Sequence, residues 1–233
     1  MIFIKYKSIK KGVFVERPNR FIAKVLVDGN VETVHVKNTG RCKELLVNGA
    51  TVYLSVAVNP LRKTKYDLVG VEKVTNRGTI MVNMDSQIPN DVAGEWLRNG
   101  NLFSENAVIK REVFYNKSRF DFYIEDEGRR IFLEVKGVTL ENNSVASFPD
   151  APTERGIKHI NELVDAVAEG FEAYILFVIQ MKNIDYFTPN YETHPEFGEA
   201  LKNARDKGVK ILAFDCTVSE DSIAIDKNIK VVL

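Results

Sequence analysis

The stretch 131-IFLEVKGVT-139 decides the fold. Its apolar, β-branched and aromatic residues suit a strand, yet Glu134 and Lys136 put two full charges at its centre. A strand meant only for burial excludes such charges, so one face of this one must serve them. Upstream, 118-SRFDFYIED-126 reads as a second strand, and Glu127 and Gly128 between the two supply a tight hairpin turn. A turn centred between Glu127 and Gly128 sets the register. Phe120 then faces Val135, Phe122 faces Leu133 and Ile124 faces Ile131, an apolar face fit for a core. The opposite face pairs Tyr123 with Phe132, Asp121 with Glu134 and Arg119 with Lys136.

Two carboxylates directly across a ladder have β-carbons about 4.5 to 5.5 Å apart and repel unless a positive charge joins them. A divalent cation is the economical partner. Mg²⁺, with Mn²⁺ as its substitute, takes one or two carboxylates and keeps places for water and a phosphate oxygen. Asp121 and Glu134 are therefore the expected metal ligands. Lys136, on the same face, is placed to hold a scissile phosphate or orient an attacking water. The competing reading is mutual neutralisation on a solvated face, because Arg119 lies diagonal to Glu134 and Lys136 diagonal to Asp121. The Tyr123 and Phe132 pair argues for cover over this face and so for a half-buried acid cluster.

Working outward, residues 14–74 carry short strand-like runs broken by turn signals: RFIAKVLV before Asp28-Gly29-Asn30, VETVHVK before Asn38-Thr39-Gly40, TVYLSVAV before Asn59-Pro60. This spacing predicts a small closed or half-closed β-barrel, of which the OB type is one common form, in a first domain placed at residues 1–80. Residues 81–233 then read as an α/β domain with a mixed sheet. A helix is expected from Asp91, capped by Asn90 and stopped by Gly100. Three strands follow, then a helix capped by Thr153 and ended by Gly170, the buried strand EAYILFVIQ, a helix over PEFGEALKNARDKG, and the strand KILAFDCTV.

Composition sets the outer bounds. With 32 basic and 32 acidic residues the chain has no global field, so any basic surface is local. Cys42 and Cys216 are far apart, with no zinc spacing, and read as reduced thiols. Nothing reads as a signal peptide or membrane span, so a cytoplasmic protein without a membrane partner is expected.

The arrangement of Asp121 with Glu134-Val135-Lys136 resembles the PD-(D/E)XK signature of restriction-endonuclease-like nucleases. Over nearly its full length the chain also resembles the sugar fermentation stimulation protein A (SfsA) family. The blocks carrying the likeness are FVERPNRF (14–21), VHVKNTGR (34–41), NPLRKTKY (59–66), IKREVFY (109–115), SRFDF (118–122), LEVKGVTL (133–140) and FPDAPTERGIKHINEL (148–163). The resemblance implies an OB-like N-terminal domain, a nuclease-like C-terminal domain and DNA as partner, with homodimerisation left open. Carried over by position, it implies Asp121, Glu134 and Lys136 as catalytic residues. It also implies an acid on the first core helix, where Glu95 fits and Glu112 on the following strand competes.

Further candidates surround this set. Arg155, Lys158 and His159 open the long helix, with Arg155 and His159 one turn apart on the face away from Ile157 and Ile160, and offer a phosphate seat. Asp150 reads as punctuation before that helix, and Gln180 as a residue at the rim of the metal site or a cap on the sheet edge. In the barrel, Arg17, Arg20, Phe21, Arg41, Lys43, Arg62, Lys63, Lys65 and Tyr66 mix cations with aromatics as a nucleic-acid contact surface does. Arg20, Arg41, Arg62, Lys63 and Lys65, with Arg119, are the expected backbone contacts there. The expected activity is Mg-dependent phosphodiester hydrolysis. A DNA-binding regulator with an idle site is the main alternative, and a sugar-binding module a third.

Overall fold

The structure is a computed structural model that describes residues 2–38, 40–59 and 61–233. A short β1 (Ile4–Lys5) precedes six strands of the first domain: β2 (Ile9–Asn19), β3 (Ile22–Val27), β4 (Asn30–Val36), β5 (Thr51–Val56), β6 (Tyr66–Thr75) and β7 (Gly78–Asn83). Their order is β4-β3-β2-β5-β6-β7, and a parallel contact of β4 with β6 closes the first five into a barrel. Closure depends on β2. Its first half pairs with β5 and its second half with β3 across register shifts, which bends one long strand around the barrel corner. This is the small barrel expected from the turn spacing, of the OB type that the family resemblance implies.

The second domain continues with α1 (Ile88–Arg98), β8 (Val108–Tyr115), β9 (Ser118–Asp126), β10 (Arg129–Val138), β11 (Leu140–Asn142), β12 (Val145–Phe148), α2 (Glu154–Ala168), β13 (Glu172–Ile179), β14 (Tyr186–Pro189), α3 (Pro195–Asp206), β15 (Lys210–Val218), β16 (Ser222–Asn228) and β17 (Lys230–Val231). Its main sheet runs β1-β16-β15-β13-β10-β9-β8, with β10, β13 and β15 parallel at the centre. The almost wholly apolar β13 lies in the middle, buried on both faces. One apolar cluster packs α1 on the sheet, and another packs α2 and α3 on the opposite face. Among the described residues no helix is long and apolar enough to cross a membrane.

Several sequence expectations are corrected here. The barrel strands run to Asn83, so a boundary at residue 80 falls inside β7, while β1 pairs with β16 and belongs to the second sheet. A small sheet, β11-β12-β14-β17, has no counterpart in the expected element order, because its strands are two to four residues long. Helix α1 starts at Ile88, with Pro89 in its first turn, so Asn90 lies inside the helix rather than capping it. The other expected caps are present: Thr153 Oγ1 accepts the Gly156 N–H at 3.0 Å, and Gly100 and Gly170 take positive φ after their helices.

The two domains share one core. Val36, Leu68, Val82 and Met84 of the barrel belong to the same buried cluster as Val138, Ala146 and Phe187 of the second domain. Polar contacts reinforce the join. Lys73 meets the buried Glu141 at 2.5 Å, Arg77 meets Asp185 at 2.7 Å, and Asp150 Oδ2 accepts the Arg41 N–H at 2.8 Å. Asp150 is thus a link to the barrel rather than mere punctuation before α2.

Candidate functional site

The β9–β10 hairpin has the expected register. Ladder pairs run from Arg129 with Asp126 to Leu133 with Phe122, and Glu127 and Gly128 both take positive φ in the connecting turn. The ladder ends there. The next side chain, Asp121, turns inward, and its Oδ2 accepts the Val135 N–H at 2.7 Å, so a carboxylate fills the place of a strand carbonyl. The neighbouring strand is also distorted at this level. Glu112 of β8, which the register sets opposite Asp121, has a φ of 57°. The strands rotate through this point, so Phe120 packs with Tyr115 and Phe132 on the α2 side while Phe122 packs under α1. The expectation that Phe120 and Phe122 share a face is therefore wrong, for the regular alternation breaks at Asp121.

Glu134 points to the α2 side and is 3% exposed. Its Oε1 accepts from Lys136 Nζ and from His159 Nδ1, each at 2.5 Å. Its Oε2 is buried with no hydrogen-bond partner among the described residues. His159, 4% exposed, packs edge-on against Phe120, with ring centroids 6.2 Å apart. Its Nε2 accepts from Arg155 Nε at 3.4 Å, so the ring proton belongs on Nδ1, the atom that donates to Glu134. The result is a relay, Arg155 to His159 to Glu134, with Lys136 closing the other side. The sequence reading placed His159 on a polar outer face with Arg155; instead it is buried beneath α2 as a support for Glu134.

Asp121 is held between Val135 N–H and Asn90 Nδ2, the latter at 2.7 Å to Oδ1. Burial and the nearby Glu134 charge push its carboxyl up to about 6, partly offset by the Val135 N–H, Lys136 and Asn90. Glu134 goes the other way: burial alone would raise it, but the hydrogen bond from His159 and the Lys136 charge hold it below the ordinary carboxylate range. Two neighbouring acids with affinities driven apart form a common pattern at reactive sites.

The helix acid does not join them. Glu95 bonds Arg98 at 2.7 Å, and as the fifth residue after Asn90 it lies about 7.5 Å along the axis and about 140° round the helix. Glu112 is held by Arg119 at 2.6 Å. Arg119 itself, expected opposite Lys136, lies beyond the end of the ladder with β10; it faces Phe114 on β8 and stays exposed. Among the described residues, no group of three or more His, Cys, Asp or Glu is arranged to hold a metal ion. The unpartnered Glu134 Oε2 and the adjacent Asp121 carboxylate still fit a hard cation that asks for one or two protein oxygens.

The barrel cations divide into two groups. Arg62 forms a two-pronged pair with Asp67 at 2.7 Å, which also meets His35 at 2.8 Å, and Arg17 donates to the carbonyls of Arg20, Asn38, Gly40 and Arg41. These two shape loops rather than offer free charge. Lys63 and Lys65 are exposed, Lys65 lying 3.8 Å from Glu32. Arg20, Arg41 and Lys43 line a cleft of about 530 Å³ that reaches Ala151 of the second domain. Lys158, also exposed, donates to the Lys117 carbonyl at 3.0 Å. Gln180 does not reach the acid pair; its Nε2 contacts Asn83 and Asp85 at the domain junction. Asn90, expected from the sequence only as a helix cap, proves to be a partner of Asp121, and the buried Asp85, which Lys37 meets at 2.5 Å, carried no signal in the sequence.

Comparison with known proteins agrees with this architecture. Residues 15–82 match the family described as the SfsA N-terminal OB domain, and residues 87–222 the one described as the sugar fermentation stimulation protein RE domain. Sugar fermentation stimulation protein homologs are 56% identical in Clostridium beijerinckii (99% of this chain, all of that one) and 60% identical in Desulfitobacterium hafniense (94% of each). The solved structure of Pyrococcus furiosus SfsA in complex with Ca²⁺ superposes with a TM-score of 0.85 at 27% identity, covering 99% of this chain and 98% of that one. On this evidence the chain belongs to the sugar fermentation stimulation protein family, SfsA.

Proposed function

We propose that the protein binds nucleic acid, foremost DNA, and hydrolyses phosphodiester bonds with a divalent cation held by Asp121 and Glu134. The observation that carries this reading is the buried, unpartnered Glu134 Oε2 beside a second carboxylate, with Lys136 against the same acid. When bound, Mg²⁺ or Mn²⁺ supplies Lewis acidity at a phosphoryl oxygen and lowers the pKa of a water. Asp121 and Glu134 set the position of that charge, His159 and Arg155 keep Glu134 oriented, and Lys136 is placed to hold a phosphate oxygen. The Ca²⁺ complex of the Pyrococcus furiosus relative supports an oxygen-ligand cation in this family. The exposed Arg20, Arg41, Lys63 and Lys65 suit contacts to a phosphate backbone.

A second reading, a DNA-binding regulator that does not cleave, is favoured by one observation: Glu95 and Glu112 are both engaged with arginines, which leaves the acid pair without a third carboxylate. A panel of single-stranded, duplex and branched DNA and RNA, with Mg²⁺ or Mn²⁺ against EDTA, separates the two. Cleavage that needs the metal and disappears in Glu134→Ala, with affinity kept, is the expected result. Binding without cleavage anywhere in the panel selects the regulator.

A further inference from the structure

We infer that the cleft between the barrel and the second domain is a pocket for one unpaired nucleobase, making single-stranded nucleic acid the substrate class; this rests on the nucleic-acid reading above. The cleft encloses about 330 Å³ and is lined by Asn38, Ser86, Gly137, Ser147, Phe148 and Gln180, among others. That volume is at the small end of the roughly 300 to 1,000 Å³ usual for ligand pockets, which suits a single nucleotide unit.

Gln180 identifies the chemistry. It is 1% exposed, and its Nε2 lies 3.0 to 3.1 Å from three oxygens, Asn83 O, Asn83 Oδ1 and Asp85 O. Three acceptors around one end of the amide fix its orientation. Oε1 is left as an acceptor with no partner among the described residues, on a side chain that lines the cleft. Asn38 complements it, since its Oδ1 accepts the Gly40 N–H at 2.8 Å and its Nδ2 has no acceptor among the described residues, which makes it the donor. Phe148, Pro149 and Pro152 supply apolar wall. An acceptor and a donor set among flat apolar groups match the edge and faces of a nucleobase, and only an unpaired base has that edge free.

The position of the cleft links it to the rest of the site. Gly137 follows Lys136 directly on β10, so one wall of the cleft continues the strand that carries the charges. At the other end, Gly40 and Ala151 line both this cleft and the neighbouring one that holds Arg20, Arg41 and Lys43. A strand whose backbone follows those cations can place a base against Gln180 and its next phosphate toward Lys136.

The test measures fluorescence anisotropy in EDTA, comparing a labelled single strand with its duplex, on wild type, Leu140→Trp and Ser147→Phe, two residues that line this cleft and not the neighbouring cation cleft. Both substitutions fill the cleft from residues that make no side-chain hydrogen bond to the described residues, and thermal melting checks that each variant folds. The wild type is expected to prefer the single strand, and each variant to lose about tenfold on that strand, the scale of one lost base stack, with duplex affinity unchanged. A 2-aminopurine base in the strand should change its emission with wild type and not with the variants. Variants that bind the strand as wild type does, or a wild type without strand preference, overturn the pocket while leaving the nucleic-acid reading standing. A free mononucleotide that binds as tightly as the strand overturns the strand as occupant. No binding of any nucleic acid removes the parent reading and the inference with it.

Discussion

Glu134 spends one oxygen on two donors and keeps the other bare, and that asymmetry comes from His159. Its Nδ1–H and Lys136 Nζ converge on Oε1, which turns Oε2 into the open position. His159→Ala should therefore weaken Mn²⁺ binding roughly tenfold or more, the usual cost of losing an outer support to a metal ligand. His159→Asn, whose Nδ2–H can donate in place of Nδ1–H, should restore most of it; titration by electron paramagnetic resonance reads both. Equal loss in the two variants would reduce His159 to packing. Asp121 gives a prediction of opposite sign. Its carboxyl is raised from 3.8 to about 6 by burial and the Glu134 charge, so between those values the folded chain holds a proton that the unfolded chain has lost. Stability then falls as pH rises through that window, and the full penalty, on the order of 2 to 3 kcal/mol, stands above it. In metal-free protein, Asp121→Asn should raise Tm by several degrees at about pH 7.5 and lose the gain below about pH 4. Asn90 can turn its amide to accept from the new NH₂, so the hydrogen bonds survive the change. An unchanged Tm at neutral pH would show that Glu134 and Asp121 do not strain the apo fold.

At the level of elements, β10 is the organising piece. Its apolar residues Ile131, Leu133 and Val135 meet α1, while Phe132 and Glu134 meet the α2 side. Gly137 allows the first turn of α1 to approach. A β-carbon there would lie 2.6 Å from Pro89 Cγ and 2.7 Å from Gln180 Oε1. Gly137→Ala must push α1 away and with it Asn90, the residue that holds Asp121. The expected cost is about 1 to 3 kcal/mol in urea unfolding, accompanied by weaker metal binding. Normal stability and normal binding together would mean that α1 is free to shift without consequence.

For the whole molecule, a shared core and the buried Lys73–Glu141 pair join the barrel and the second domain into what should be one cooperative unit. Lys73→Met leaves the buried Glu141 without its partner, which typically costs about 3 to 5 kcal/mol. Differential scanning calorimetry should show a single transition for wild type and a single, lower one for the variant. Two separated transitions in either protein would mean that the barrel unfolds on its own. Asp150 adds to this coupling from the other side, because its carboxylate accepts the Arg41 N–H and the Gly40 backbone sits too close to it to carry a β-carbon.

What the sequence determined by itself was local in origin. Glu127-Gly128 at the turn and the alternation of the flanking residues defined the hairpin register, Thr153 and the two helix-ending glycines defined α2 and the end of α1, and the acid pair with its lysine was legible in the charges of one strand. The tertiary structure decided the rest. Whether Glu95 reaches the site depends on the phase of α1, and Pro89 shifts the start of that helix two residues ahead of the expected cap. Whether His159 faces solvent or Glu134 depends on how α2 lies across the sheet, and whether Arg62 is free depends on Asp67 meeting it across a loop. Short-range pattern encodes turns, caps and alternation because those interactions span only a few residues. Asn90 and His159 reach Asp121 and Glu134 from elements far away in the chain, and even where a partner is near in sequence, as Asp67 is to Arg62, only the folded arrangement brings the two groups together.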